Sequence, residues 1–166
     1  MRSRALVLVV LFAAAVAAAW WFTTRHKPAA GQTVAVYYAK TDGTTLVPWQ
    51  VSLNPKSSRL DAAFYAATQC VAGPPPGVEA VRFPAGTRVL SVDVQGSTAD
   101  VDISNDVAKS AEGGFAESAE FKALVWTLTQ PNLGIDSVKV KIGGARVATL
   151  PGGHLTLDEA LSRSSF

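Results

Sequence analysis

Residues 90–104 read Leu90-Ser-Val-Asp-Val-Gln-Gly-Ser-Thr-Ala-Asp-Val-Asp-Ile-Ser104. Apolar and polar residues alternate in two runs: Leu90, Val92 and Val94 face one way with Ser91 and Asp93 opposite, then Ala99, Val101 and Ile103 face in with Asp100, Asp102 and Ser104 out. A period of two is the signature of a strand with one buried face. Gln95, Gly96 and Ser97 join the runs, so the stretch predicts a β-hairpin.

The flanking segments change period. Leu60, Ala63, Phe64, Ala67, Cys70 and Val71 recur at three- and four-residue steps, predicting a helix capped by Ser57 or Ser58 and stopped by Gly73 and the prolines after it. A second amphipathic helix is expected from about Phe115 to Thr129 on Phe121, Leu124, Val125 and Leu128, with Glu117 and Glu120 near its positive N-terminal end. Residues 136–142 alternate as another strand, with Val138, Val140 and Ile142 inward. Residues 33–40 form a further strand, with Val34, Val36 and Tyr38 on one face and Ala35, Tyr37 and Ala39 on the other. Residues 46–53 can return from it as a second strand, with Pro48, which cannot donate to a ladder, arguing for an edge or a bulge. Near the C-terminus, Thr156 and Glu159 have capping-box spacing with Leu157 and Leu161 on one face, which predicts a short helix. The order is α-β-β-α-β after a hairpin: an α+β fold with helices packed on one face of a small mixed or antiparallel sheet.

The N-terminus belongs to another class. Residues 5–22 are 18 apolar residues without a charge, about 27 Å of helix against a hydrocarbon core of roughly 30 Å. Arg2 and Arg4 precede the run, and Trp20 and Trp21 stand where an outer aromatic belt would lie. The expectation is a signal anchor, with a cleaved secretory signal as the alternative because Ala17 and Ala19 supply an A-x-A arrangement. The chain thus divides into an anchor with its flanks at residues 1–27, a linker at 28–32, a domain at 33–150 and a C-terminal tail at 151–166. Both N-terminal readings place that domain outside the cytoplasm.

The whole chain has 15 basic and 13 acidic residues. Arg2, Arg4, Arg25 and Lys27 all lie in the first 27 residues, leaving 11 basic against 13 acidic in the rest. A mildly acidic domain has no electrostatic footprint for nucleic acid. The single cysteine, Cys70, excludes an internal disulfide and falls on a predicted apolar stripe, where it reads as a small core residue.

Several pieces of this pattern also occur together elsewhere: Val34-Ala-Val-Tyr-Tyr38, Ala72-Gly73-Pro74, Phe83-Pro-Ala-Gly-Thr-Arg-Val-Leu90, the two hairpin runs, Leu124-Val-Trp-Thr-Leu-Thr-Gln130 and Val138-Lys-Val140. In this order and spacing they resemble the GerM domain family, the module of a sporulation and germination lipoprotein that is also found in the lipoprotein LpqB. The resemblance covers roughly residues 33–150. It implies a core like the ring-building motif of secretion and sporulation machines, a scaffolding or partner-binding role, and no catalysis. The chain departs from the family pattern in lacking a lipobox cysteine and in having one domain where the sporulation protein has a tandem pair.

The residues themselves supply no competing chemistry. Asp100, Asp102, Ser104, Asn105 and Asp106 superficially resemble a calcium loop, with Asp93 able to add a carboxylate across the hairpin, but the glycine at the sixth position is missing. A solvated strand face explains the acids. His154 has no G-x-S-x-G serine to serve, two histidines and one cysteine make no zinc set, and the Gly-Gly pairs lack the lysine of a phosphate loop. Trp49 and Trp126 read as edge or core packing, while Pro74 to Val81 and Glu112 to Phe115 are the loops best placed for binding.

The expectation is therefore a non-enzymatic, membrane-anchored extracytoplasmic module with no cofactor, metal or catalytic residue. It would bind envelope proteins or itself. A cell-wall or small-ligand module, with peptidoglycan as a partner, is the alternative.

Overall fold

The computed structural model describes residues 32–109, 113–151 and 153–166. The apolar run at 5–22, most of the linker and Glu112 lie outside them. No helix among the described residues is long and apolar enough to cross a membrane.

The elements follow in the order β1 (Thr33–Ala39), β2 (Leu46–Ser52), α1 (Arg59–Ala72), β3 (Val89–Gln95), β4 (Thr98–Ile103), α2 (Gly113–Leu128) and β5 (Ser137–Ile142). The predicted α-β-β-α-β order after a hairpin holds. The strands form two sheets: β1 and β2 pair antiparallel, while β3, β4 and β5 form a mixed sheet with β4 central, antiparallel to β3 and parallel to β5. The helices are the shared layer, since β1 packs against both, β3 against α1 and β5 against α2.

Sheet alternation translates directly into burial. Ala99, Val101, Ile103, Val138, Val140 and Ile142 are all buried, and Asp100, Asp102, Lys139 and Lys141 project from the opposite face. Two positions depart from the sequence reading. Leu90 does not point inward with Val92, because the register slips between Val89 and Ser91 and leaves it as the unpaired, exposed residue of a bulge. Ser104 is buried, because its N–H donates to the Arg88 carbonyl and its Oγ accepts from the Arg88 N–H.

Three other expectations are corrected. On α1 the buried stripe is Ala62, Ala63, Ala66, Ala67, Cys70 and Val71, with Leu60 and Phe64 outside it. The single small sheet with helices on one face is instead two sheets that share the helices, so both alternating sets of β1 are covered and only Tyr37 among them is half-exposed. The C-terminal residues form no helix beyond a 3-10 turn at Arg163–Ser165. Leu157 and Leu161 still reach the core, but in extended chain: the Leu161 N–H and carbonyl bond Val138 on the outer edge of β5 at 2.7 and 2.8 Å. One apolar pair at a four-residue step cannot repay helix nucleation, whereas an open strand edge offers hydrogen bonds at once.

The other sheet edges are masked in part. Ala35 on β1 donates to Gln130 Oε1 at 3.0 Å and accepts from Gln130 Nε2 at 2.7 Å, so one amide side chain stands in for a neighbouring strand. Tyr37 N–H donates to Thr127 Oγ1 at 2.9 Å. Because Ala35 and Tyr37 turn that way, their opposites on β2, Gln50 and Pro48, face outward, and Pro48 has no N–H to offer there. On β3 the outward N–H of Val94 is taken by Asp93 Oδ1 at 2.8 Å, and the bulge distorts the other end.

Candidate interaction surface

With the sheet edges partly masked, side-chain faces and loops are the broader surfaces for recognition. Helix α1 is held at its start by a capping box: Ser58 Oγ accepts from Asp61 N–H at 3.1 Å, and Asp61 accepts from Ser58 N–H at 3.0 Å. The Ser58 hydroxyl, donating to Asp61 Oδ2 at 2.7 Å, and then the Ser58 N–H hold the Asp61 carboxyl below its usual range. Arg59 fixes the same end from its side chain, donating to the carbonyls of Leu133, Gly96 and Gly134. A helix pinned at this end, with alanines inward, presents Leu60 and Phe64 to solvent at 44% and 40% exposure, with Tyr65 also exposed.

Helix α2 is not amphipathic in the expected sense. Its four apolar stripe residues are fully buried, and so are Ala116, Ala119, Ala123 and Thr127 around it. Glu117 and Glu120 are buried rather than displayed; Glu117 is 2% exposed and its Oε2 accepts from the His154 N–H at 2.9 Å. His154 contributes its main chain here, with its ring beside Gly114.

The two loops singled out in the sequence converge at one end. Phe115, in the first turn of α2, is 59% exposed and lies over Gly43 in the β1–β2 turn. A Cβ on Gly43 would stand 2.3 Å from Phe115 Cζ, and its φ of +69° is glycine territory as well. Thr41, Ala80, Val81, Arg82, Phe115 and Ala116 line a cleft of about 390 Å³. The nearby Asp42 carboxylate is turned to the N–H groups of Thr45 and Thr44 at 2.7 and 2.8 Å, which hold its pKa down at about 2. Phe115's exposure was legible: it precedes Phe121 by six residues, about 240° around a helix and off the stripe. Arg82 gave no such signal.

The acids that resemble a calcium loop are engaged elsewhere. Asp100 pairs with Arg146 at 2.8 Å and lies 4.0 Å from Lys141, while Asp102 accepts from the Gly144 N–H at 2.9 Å. Asp106 pairs with Lys109 at 2.6 Å, which holds its carboxyl below the ordinary range. Among the described residues no three His, Cys, Asp or Glu side chains are grouped to hold a metal. Cys70 is buried with Sγ 3.6 Å from the Tyr37 carbonyl, and burial pushes its thiol up to about 12. Trp126 lies half-buried at a margin, edge-on to Phe166 and beneath Lys122 and Arg163 at 5.6 and 5.5 Å. Trp49 is exposed on the outer strand β2.

Residues 35–148 match the family described as Germane, sporulation and spore germination. Among solved structures, the first GerMN domain of the sporulation protein GerM from Bacillus subtilis is similar at 30% identity and a TM-score of 0.63, over 80% of this chain and 98% of that one. The tandem GerMN domains of the same protein match at 29% identity and a TM-score of 0.63, over 81% of this chain and 47% of that one, so the chain spans about half their length. A putative lipoprotein from Clostridium perfringens shares the fold at 16% identity, with a TM-score of 0.58 over 81% of this chain and 89% of that one. No curated protein sequence matches.

Proposed function

The chain belongs to the Germane family of sporulation and spore germination domains, and from that premise we propose that it is a non-catalytic interaction module held on the outer side of the membrane by residues 5–22. It binds envelope proteins or further copies of itself. The observation that carries this reading is the inversion on α1, whose alanines are buried while Leu60, Phe64 and Tyr65 stand in solvent. Large apolar side chains gathered on one helix are the usual raw material of a protein interface. Partly masked sheet edges support the same reading, because they favour association through faces over open-ended strand addition.

Cross-linking of the full-length chain in its native membrane, read by mass spectrometry, tests the proposal. Discrete cross-links to a partner or to a second copy are expected, with Leu60 and Phe64 near the linked positions. A chain that yields only unlinked monomer would sink it. N-terminal sequencing of the mature protein separates an intact anchor, the reading favoured here, from a cleaved signal.

A further inference from the structure

The cleft beneath Phe115 has a chemistry more specific than an apolar surface. Its wall is fixed, because the Val81 N–H donates to the Ala39 carbonyl at 2.8 Å and ties the segment to β1. Its volume of about 390 Å³ lies in the lower part of the range of small-ligand sites. Phe115 gives it an exposed aromatic face. Arg82 also lines it and has no carboxylate partner among the described residues; its guanidinium lies over Gly73 at the rim and donates to the Pro74 carbonyl at a long 3.4 Å. No acid lines the cleft, and Asp42, which adjoins the lining residue Thr41, is bound to its own turn.

An arginine without an acid partner and an exposed ring lining the same cleft select a ligand that joins a carboxylate to an apolar group. Apart from the Thr41 hydroxyl and Arg82, the lining side chains have no hydrogen-bonding group, which is poor provision for a hydroxyl-rich sugar. We propose that this cleft binds an acidic peptide segment of a partner protein, with an aromatic or aliphatic residue stacked on Phe115 and the neighbouring carboxylate paired with Arg82. The proposal rests on the interaction-module reading and assigns that reading a second contact point, separate from α1.

Titration of the isotope-labelled full-length protein in micelles with acetyl-Phe-Glu-Phe-amide, followed by amide chemical shifts, provides the test. Shifts should centre on Thr41, Val81, Arg82 and Phe115, and acetyl-Phe-Gln-Phe-amide should bind about tenfold more weakly for want of one charge-assisted pair. Arg82→Gln should erase the difference between the peptides, and Phe115→Ala should weaken both by about fivefold or more. Equal binding of the two peptides, shifts away from the cleft, or no shifts would overturn the assignment. Sedimentation with purified peptidoglycan that is lost in Phe115→Ala would also overturn it, by giving the cleft to the wall. If an Arg82→Gln, Phe115→Ala double variant still cross-links to its partner, and the peptides do not bind the wild type, the cleft fails while the interaction module stands.

Discussion

Helices α1 and α2 differ in what they conceal. Helix α1 has the better amphipathic pattern, yet it buries alanines and leaves its leucine, phenylalanine and tyrosine outside. Helix α2 is buried nearly all round, glutamates included. The difference lies in packing distance. Small side chains let α1 approach α2, β1 and β3 closely, which leaves no room on that face for Leu60 or Phe64. Helix α2 fills the remaining space with its large residues, and Phe121 meets Phe83 edge-on at 5.9 Å.

The sharpest way to break this division of labour is to empty α2. Phe121→Ala removes a fully buried ring and should cost about 3–5 kcal/mol, read as a lowered urea midpoint with an unchanged slope. The reciprocal experiment overfills α1: Ala66→Leu adds bulk where the structure has none to spare and should cost about 1–3 kcal/mol. If Ala66→Leu stabilised the protein, the close-approach account of α1 would be wrong.

The α1 contact with β1 also carries a pH dependence. Burial raises the Cys70 thiol from 9.0 to about 12 and, as the largest of several causes, the Tyr38 hydroxyl from 10.0 to about 12. Both groups are neutral in the fold and ionise earlier in the unfolded chain. Their contribution is therefore full below about pH 9 and is lost as pH rises towards about 12. Raising the pH from about 8 to about 10.5 should lower stability by about 2–3 kcal/mol more in the wild type than in a Cys70→Ala, Tyr38→Phe double variant. Equal losses would mean that neither group titrates differently on folding.

Much of this architecture was legible because period translates into burial wherever one element has one covered face. The β4 and β5 alternations did so residue by residue, and the helix stop at Gly73 followed from its backbone freedom, with φ at +92°. Legibility ended where a neighbour from far along the chain intervenes. Gln130 bonds β1 from 95 residues away, Leu161 closes β5, and the bulge turns Leu90 out; none of these has a local signature. The candidate cleft was half legible, since its loops and Phe115 were marked by their sequence context while Arg82 became visible only when the hairpin turn and the 80–82 segment met.

The smallest stability effect carries the most information about function. Leu60→Ser and Phe64→Ser alter side chains that are already 44% and 40% exposed, so together they should shift stability by no more than about 0.5 kcal/mol. If those residues were merely leftover apolar surface, the variant would behave as the wild type in every assay. If α1 is an interface, the same variant should keep its unfolding midpoint and lose the cross-links of the full-length chain, because hot-spot side chains carry binding energy out of proportion to their number. A matched change on the other exposed surface, Trp49→Ser on β2, supplies the control: Pro48 already blunts that edge, so its loss should leave the cross-links in place. Cross-links that vanish with Trp49→Ser and persist without Leu60 and Phe64 would move the interface from the helix to the hairpin, and the inversion on α1 would then be a consequence of close packing alone.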